Sequence, residues 1–323
     1  MADFGFETTA DEVLEGKDLS GKTAFVTGGY SGLGQETARA MAAKGAHVII
    51  AGRDAEKANA AAQEIRDAVD GAHVETIVCD LASLQSVREC GEEARERFEK
   101  IDLLINNAGV MACPQDETAD GFEMQFGTNH LGHFQLTKEL MPLVEKGAES
   151  GGGARIVNLS SRGHHIDDVH LDDPNFENRE YQKWLSYGQS KTANVLFTVG
   201  LENRFAHKGI TAVAVHPGGI QTNLGRHMTD EDRAWMRSRM KADSDEEMLK
   251  AFKTIPQGAA TTCFAATEPS LQGHGGVYCE DCHVAEVDDE STAGGVRSYA
   301  VDPQRADELW ALSEKMVGDT FSN

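Results

Sequence analysis

The stretch Thr23-Ala24-Phe25-Val26-Thr27-Gly28-Gly29-Tyr30-Ser31-Gly32-Leu33-Gly34 decides the fold of this chain. Its first five residues are mostly apolar or β-branched and predict a short buried strand. The alanine-rich residues 35–44 predict the helix that follows. Glycines between a strand and a helix allow a tight turn and let a pyrophosphate approach the free N–H groups of the helix N-terminus. The sequence therefore predicts a dinucleotide-binding unit.

Strands and helices alternate along the rest of the chain. Further strands are predicted at 46–51, 73–79, 101–105, 155–161, 210–215 and 277–278. Helices are predicted at 55–69, 83–99, 121–144, 187–205, 257–266 and 305–317. This alternation predicts an α/β fold with a doubly wound parallel sheet of the Rossmann type, whose ligands bind at the carboxyl ends of the strands.

No internal repeat or low-complexity linker divides the sequence, so residues 1–323 are expected to form one domain. Within it we expect an acidic leader at 1–21, a helical flap insertion at 224–253 and a C-terminal helix at 303–318. Residues 228–252 are charged, with apolar positions at roughly helical spacing. This pattern favours a mobile amphipathic flap, and equally a plain pair of surface helices.

The composition is strongly acidic, with a formal net charge of −23 and a pI near 4.8. Nucleic acids and anionic membranes would be repelled, so we expect a small-molecule partner instead. No apolar run reaches the length of a membrane span, and the first residues lack the pattern of a signal peptide. The six scattered cysteines are typical of reduced thiols. These features predict a cytoplasmic protein.

Tyr187 has a lysine four residues on, Lys191, which places both side chains on one face of a helix. An ammonium close to a phenol favours the phenolate and lowers the pKa of the tyrosine. Such a tyrosine can exchange a proton with an alcohol or a ketone. The spacing alone is weak evidence, because any amphipathic helix can carry it by chance.

The end of the second predicted strand bears on the choice of cofactor. In dinucleotide folds this position faces the adenosine ribose, and an acidic residue there holds the 2′-hydroxyl of NAD. Here Gly52 occupies the position and Arg53 follows it. The forked guanidinium suits a 2′-phosphate, so the sequence favours NADP, with NAD possible. A solvated arginine at a strand end is the alternative interpretation.

The motifs together resemble the short-chain dehydrogenase/reductase family, over about residues 20–280. They are Thr27-Gly28-x-x-x-Gly32-x-Gly34, Asn106-Asn107-Ala108-Gly109, Asn129, Ser161, Tyr187-x-x-x-Lys191 and Pro217-Gly218. The wide spacing between Ser161 and Tyr187, together with Gly52-Arg53-Asp54, resembles the retinol-dehydrogenase-like branch.

This resemblance implies a role for each of four residues. Tyr187 is the general acid/base, and Lys191 lowers its pKa and holds the nicotinamide ribose. Ser161 binds the substrate oxygen, whereas Ser160 points into the sheet. Asn129 supports a chain of water molecules that relays the proton from Lys191 to solvent.

The resemblance also implies which residues line the cofactor groove. They are Gly28, Tyr30, Ser31, Gly32, Leu33, Gly34, Arg53, Asp80, Leu81, Asn107, Ala108, Gly109, Tyr187, Lys191, Pro217, Gly218, Ile220 and Thr222. Asp80 and Leu81 would contact the adenine, and Ile220 and Thr222 the nicotinamide carboxamide. The family's chemistry requires no metal.

Two clusters outside this set invite a metal or haem interpretation. The Cys279-x-x-Cys282-His283 pattern matches a haem-attachment sequence, but its position after the last strand favours coincidence. The histidine- and aspartate-rich residues 162–183 are expected to form a solvated loop.

We therefore expect an NADP(H)-dependent oxidoreductase that moves a hydride between the nicotinamide and a carbonyl or secondary alcohol. A bulky, apolar substrate would enter beneath residues 224–253, where Trp235, Met236 and Met240 offer adaptable contacts. The alternative is an NADP-binding sensor or scaffold protein on the same fold, without turnover. A nucleotide-sugar epimerase is disfavoured by the spacing of the glycines.

The family usually pairs through the helices that carry Asn129 and Tyr187. Residues 195–199 are apolar on every side of the predicted helix, which is unusual for a helix with one solvated face. A homodimer or homotetramer is therefore expected.

Overall fold

The computed structural model describes residues 4–321 and contains an eight-stranded sheet. The strands are β1 Thr23–Thr27, β2 His47–Gly52, β3 His73–Val78, β4 Leu103–Asn106, β5 Ala154–Leu159, β6 Ile210–His216, β7 Val277–Glu280 and β8 His283–Val284. Their order is β3-β2-β1-β4-β5-β6-β7-β8, and every pair is parallel except β7 and β8. The predicted Rossmann-type sheet is thus confirmed.

Helices cover both faces of this sheet. They are α1 Ala10–Val13, α2 Gly32–Ala42, α3 Ala55–Ala68, α4 Leu84–Arg97, α5 Met124–Phe126, α6 Gly132–Glu149, α7 Lys183–Phe205, α8 Asp230–Met240, α9 Asp245–Lys250, α10 Ile255–Thr267 and α11 Pro303–Val317. One face packs against α1, α2, α3 and α10, and the other against α4, α6, α7 and α11. No helix among the described residues is long and apolar enough to span a membrane.

Burial on both faces explains why the central strands are largely apolar. In β1 the side chain of Phe25 joins one core, whereas Ala24 and Val26 join the other. All five residues of β1 and all seven of β6 are buried. Parallel strands covered by helices on both sides have this continuous apolar character.

The helix predicted at 121–144 begins and ends later in the chain and is less regular than expected. Gly121 lies in a turn with a φ of 80°, and the helical region begins at Met124. The Glu123 carboxylate caps it by accepting hydrogen bonds from the N–H groups of Gln125 and Phe126. A π-helical turn, Gly127–Leu131, then precedes α6. Such turns are frequent at functional sites, and this one contains Asn129.

The predicted acidic leader packs onto the rest of the fold; its first three residues lie outside the described residues. Thr9 and Glu12 form a capping box that begins α1. Ala10, Val13 and Leu14 are buried in the core shared with α2 and α10. The apolar residues among the acidic ones therefore fix this segment to the body of the protein.

The C-terminal helix α11 explains the apolar run at 195–199. Trp310 of α11 lies against the rings of Phe197 and Phe205 on α7, with centroid distances of 5.8 and 6.3 Å. Gly200 leaves room for this indole, since a Cβ there would lie 2.8 Å from it. The hydrophobicity of α7 is thus satisfied within one chain and does not require a second subunit, so oligomerisation stays a prediction.

Replacing Trp310 by alanine tests whether this contact holds α11 in place. Trp310 is only 5% exposed, and we expect Trp310→Ala to reduce the free energy of unfolding by about 3–5 kcal/mol. Lys315→Ala, on the exposed side of the same helix, should change it by less than about 0.5 kcal/mol. Guanidinium denaturation measures both, and equal effects would contradict the packing described.

Candidate active site

A cavity of about 1680 Å³ opens at the carboxyl ends of the strands. It is lined by every residue predicted to bind the cofactor, and by Ser161. Of the predicted site residues, only Asn129 lies outside this lining. The sheet collects these groups because parallel strands all end at the same edge.

The glycine loop after β1 leaves the N-terminus of α2 open to the cavity. Ser31 occupies the N-cap position, but its side chain makes no capping hydrogen bond to the helix. A Cβ at Gly34 would lie 2.4 Å from both the Gly28 carbonyl oxygen and the Asn107 amide nitrogen, so only glycine fits there. The open N–H groups and the helix dipole suit the pyrophosphate of a dinucleotide.

The adenosine end of the cavity has a packing contact that the sequence did not reveal. The ring of Tyr30, from the glycine loop, lies over Gly52 at the end of β2. A Cβ at Gly52 would be 2.5 Å from a ring carbon of Tyr30. The aromatic ring therefore occupies the space that a carboxylate at position 52 would need.

The loop after β6 closes the end of the cavity that is predicted to bind the nicotinamide. Gly218 has a φ of 100°, and the aliphatic part of the buried Lys253 side chain packs over it. The backbone of Lys253 donates a hydrogen bond to the Gly219 carbonyl. Thr222 accepts one from the Leu224 N–H and lies against the glycine loop. These contacts hold the loop across the cavity.

Ser161 and Tyr187 lie together at the cavity floor. The Ser161 hydroxyl accepts a hydrogen bond from the Gly163 N–H at 2.9 Å. Gly163 packs directly against the Tyr187 ring, since a Cβ there would lie 2.7 Å from a ring carbon. The Ser160 hydroxyl instead donates to the Lys191 carbonyl of α7 at 2.8 Å. Ser161 is therefore the serine placed beside the phenol.

Burial dominates the ionisation of the tyrosine and the lysine. It raises the pKa of the Tyr187 phenol to about 12, against the opposing effect of a hydrogen bond with Ser161. It lowers the pKa of the Lys191 ammonium to about 8. The ammonium lies 5.6 Å from the centre of the phenol ring and donates to the Leu159 carbonyl. The expected net lowering of the Tyr187 pKa by Lys191 is thus wrong, because burial dominates.

Asn129 acts on the backbone rather than on the cavity. Its amide oxygen accepts from the Val110 N–H at 2.8 Å, and its amide nitrogen donates to the Val110 carbonyl and the Ser190 hydroxyl. Ser190 donates in turn to the Tyr187 carbonyl. Asn129 therefore connects the loop after β4 to the first turns of α7.

His133 is a buried polar residue whose role the sequence did not predict. The Thr27 hydroxyl oxygen accepts hydrogen bonds from the backbone N–H groups of Asn107 and Ala108. Its hydrogen can then be donated to His133 Nε2, at 2.9 Å. The ring then donates from Nδ1 to the Asn129 carbonyl at 2.9 Å. Burial lowers the pKa of His133 to about 4, so a neutral ring fits both contacts.

The segment 162–183 is only in part the solvated loop that its composition predicts. His164 is fully buried, bonds the Ser161 carbonyl through Nδ1 and accepts the Arg297 N–H at Nε2. Its carbonyl accepts the Tyr299 hydroxyl. Burial lowers the pKa of His164 to about 3, so the ring is neutral. It supports the turn after Ser161.

The two cysteines near the C-terminus belong to a tight hairpin. Asp281 and Cys282 form the two-residue turn between β7 and β8, with φ values of 45° and 60°. Both values suit a hairpin whose twist follows the strands. Cys279 and Cys282 are buried free thiols, and burial raises the pKa of Cys279 to about 12 and of Cys282 to about 11.

Within residues 4–321, one group of side chains has the composition of a metal site: His47, His73 and Glu75. It lies at the opposite ends of the strands from the cavity. The two imidazole rings are nearly parallel, 8° apart with centroids at 3.8 Å, and both Nε2 atoms lie near one Glu75 carboxylate oxygen, at 2.9 and 3.5 Å. This cluster has no connection with the candidate active site.

Residues 224–253 cover one side of the cavity with the helices α8 and α9. The buried Asp232 of α8 accepts hydrogen bonds from Lys183 Nζ at 2.6 Å and Trp184 Nε1 at 3.0 Å. Trp235 stacks on Trp184, with centroids 4.6 Å apart and planes 12° apart. The predicted flap is therefore tied to the first turn of the helix that carries Tyr187.

The fold and the sequence define an NAD(P)-dependent oxidoreductase of CH–OH and C=O groups. The chain belongs to the short-chain dehydrogenase/reductase family: residues 22–233 match the family described as short chain dehydrogenase. Retinol dehydrogenase 13 of Homo sapiens is 48% identical over 305 residues, covering 93% of this chain and 86% of that protein. The predicted retinol-dehydrogenase-like branch is thereby confirmed.

Solved structures agree with this assignment. A crystal structure of an uncharacterized protein from Mycobacterium paratuberculosis superposes with a TM-score of 0.71 at 34% identity, covering 96% of this chain and 98% of that one. A structure described as an NAD(P)-dependent gluconate 5-dehydrogenase from Beutenbergia cavernae contains bound NADP. It has a TM-score of 0.62 at 25% identity, covering 82% and 96% of the two chains.

A carboxylate introduced at position 52 tests the contact with Tyr30. Because the new side chain meets the tyrosine ring, Gly52→Asp should weaken the binding of both NADH and NADPH roughly tenfold. The double variant Tyr30→Ala/Gly52→Asp removes the clash and should bind NADH better than NADPH. Fluorescence titration measures these affinities, with Tyr30→Ala as control. A gain of NADH affinity in Gly52→Asp alone would contradict the steric explanation.

Proposed function

We propose that the protein is an NADP(H)-dependent reductase of bulky, largely apolar carbonyl compounds, working reversibly on the corresponding alcohols. One observation carries the proposal: Ser161, Tyr187 and Lys191 line the same cavity as an open helix N-terminus that fits a dinucleotide pyrophosphate. A protein that only sensed the cofactor would not need a hydroxyl, a phenol and a buried ammonium at one place.

The chemistry proposed for the residues is proton transfer and charge stabilisation. The bound cofactor supplies the hydride to the carbonyl carbon, or accepts it from the alcohol. Tyr187 gives its phenolic proton to the carbonyl oxygen, and Ser161 donates a hydrogen bond that stabilises the developing negative charge. Lys191 holds the nicotinamide ribose hydroxyls, and Asn129 keeps the first turns of α7 in position.

The ionisation of Tyr187 supports reduction near neutral pH. A phenol whose pKa is about 12 is protonated there and can act as a general acid. Alcohol oxidation needs the phenolate, whose fraction below this pKa rises tenfold with each pH unit. The oxidation rate should therefore increase as the pH rises.

The side chains that line the cavity support the proposal of an apolar substrate. Its wall beyond Tyr187 includes the apolar side chains Met111, Met124, Trp184, Trp235, Met236, Met240, Met248, Leu249 and Phe252. Methionine side chains adapt to ligands of different shape. The stack of two tryptophans keeps one end of the flap close to the catalytic tyrosine.

The adenosine end of the cavity supports NADP rather than NAD. The Arg53 guanidinium forms no ion pair or hydrogen bond with the described residues, so it is free to bind a 2′-phosphate. The contact of Tyr30 with Gly52 excludes the carboxylate that an NAD-specific site would have. Salt screens the repulsion from the net charge of −23 beyond about 8 Å, whereas the arginine contact is short.

Replacing Tyr187 by phenylalanine tests the proposed reaction. Tyr187→Phe keeps the ring but removes the proton donor, so turnover should fall by about 10²–10⁴-fold while NADPH still binds. Tyr181→Phe removes a phenol that does not line the cavity and should retain turnover within a few-fold. A panel of aldehydes and ketones with NADPH, followed by nicotinamide absorbance, gives the rates. Near-normal turnover by Tyr187→Phe would refute the mechanism.

Replacing Arg53 by alanine tests the cofactor preference. A charge-assisted contact contributes about 1.5–3 kcal/mol, so Arg53→Ala should weaken NADPH binding about tenfold to hundredfold. NADH binding should hardly change, which makes it the internal control, and Arg53→Lys should lie between. Titration of both cofactors measures these affinities. A preference of the unmutated protein for NADH would show that the assignment of Arg53 is wrong.

A further inference from the structure

Three arginines differ from the others. The guanidinium groups of Arg53, Arg162 and Arg239 form neither an ion pair nor a hydrogen bond within residues 4–321. Every other arginine does, either with a carboxylate or with a backbone or amide oxygen. All three line the same cavity. In a chain with so many carboxylates, their lack of a partner is informative.

The cavity as a whole has the opposite charge to the protein. Nine of the 30 lysines and arginines line it, but only three of the 53 aspartates and glutamates do. A concave surface lined by one sign of charge concentrates ligands of the other sign. The cofactor phosphates account for positive charge at the end where Arg53 lies. They leave the positive charge at the other end unexplained.

Arg162 and Arg239 lie at the end where the substrate is expected. Arg162 follows Ser161 directly, and both belong to the turn that packs on the Tyr187 ring. Arg239 lies over the Trp235 ring, 5.1 Å from its centre. That ring stacks on Trp184, which is edge-on to Tyr187 with centroids 6.2 Å apart. A continuous aromatic wall thus joins Arg239 to the proposed proton donor.

The two arginines also share a neighbour, His165, which lines the same cavity. Burial lowers the pKa of His165, and the positive charges of Arg297, Arg162 and Arg239 lower it further. Arg297 uses its guanidinium to bind the Asp288 and Ser291 carbonyls, so it is not free for a ligand. Burial raises the pKa of Glu280 and the positive charge of Arg162 opposes that shift, while the Glu280 carboxylate accepts a hydrogen bond from the Gly295 N–H.

We propose, on the basis of the function proposed above, that the substrate is a carbonyl compound with an apolar body and a carboxylate. Arg239 and Arg162 bind the carboxylate while Tyr187 and Ser161 hold the carbonyl oxygen. The guanidinium fork matches the two oxygens of a carboxylate. The tryptophans and methionines of the wall contact the apolar body between the two polar ends.

Matched pairs of acid and ester test this assignment. The probes are dodecanedioic semialdehyde and para-formylbenzoate, each compared with its methyl ester, which keeps the aldehyde but removes the charge. In calorimetry with NADP present, where the aldehyde cannot be reduced, at least one acid should bind about tenfold to hundredfold more tightly than its ester. Turnover with NADPH should show the same preference in kcat/KM.

Two variants test whether the arginines cause the preference for the acid over its ester. Arg239→Gln and Arg162→Gln should each reduce the ratio of acid to ester affinity about tenfold, and leave the affinity for NADPH unchanged within threefold. Arg237→Gln is the matched control on the same helix, because Arg237 pairs with Asp245 and does not line the cavity. It should keep the full ratio.

Binding and turnover separate this inference from the proposed function. An acid preference in calorimetry without any aldehyde reduction would refute the proposed function and leave the anion site standing. The inference would be overturned by equal affinities for acid and ester in both pairs, or by no binding of either pair. A preference for the acid that survives in both variants would also overturn it. A loss of NADPH affinity in Arg239→Gln and Arg162→Gln would also overturn it, since the arginines would then serve the cofactor.

Discussion

The hydroxyl of Thr27 is the contact on which the geometry of the site depends. It accepts the N–H groups of Asn107 and Ala108 and so fixes the end of β1 against the end of β4. Through His133 it is also linked to Asn129, at the π-helical turn. The glycine loop, the groove after β4 and the start of α6 are therefore positioned by one network. Fully satisfied buried networks of this kind make a site rigid.

Burial, rather than the pairing of charges, sets the state of the acid/base groups. Tyr187 and Lys191 are each only 5% exposed, and water is excluded from most of their surface. Burial shifts both pKa values toward the neutral form because a charge loses its hydration in such a place. The phenol therefore stays protonated near neutral pH, whereas most of the lysine still carries its charge there.

The sequence predicted most of the fold because parallel strands are apolar throughout and glycines mark the turns between them. The residues that it proposed for the site, except Asn129, line one cavity because most of them lie at the end of a strand or on the first turns of a helix. It could not predict the contact of Tyr30 with Gly52, since these residues come from different loops. The burial of His164 was also missed, because local composition gives no sign of packing by the distant Arg297 and Tyr299. The prediction of a lowered pKa for Tyr187 was wrong for the same reason, because burial depends on tertiary neighbours.

The packing of α11 on α7 has a consequence for how the helix that carries Tyr187 responds to dilution. When an apolar face is covered by a second subunit, its burial depends on protein concentration through mass action. Here Trp310 belongs to the same chain as the helix that it covers. The support of this helix is therefore intramolecular. The effective concentration of Trp310 near α7 is set by the length of the chain that joins them. Tyr187 keeps this support however few copies of the protein are present.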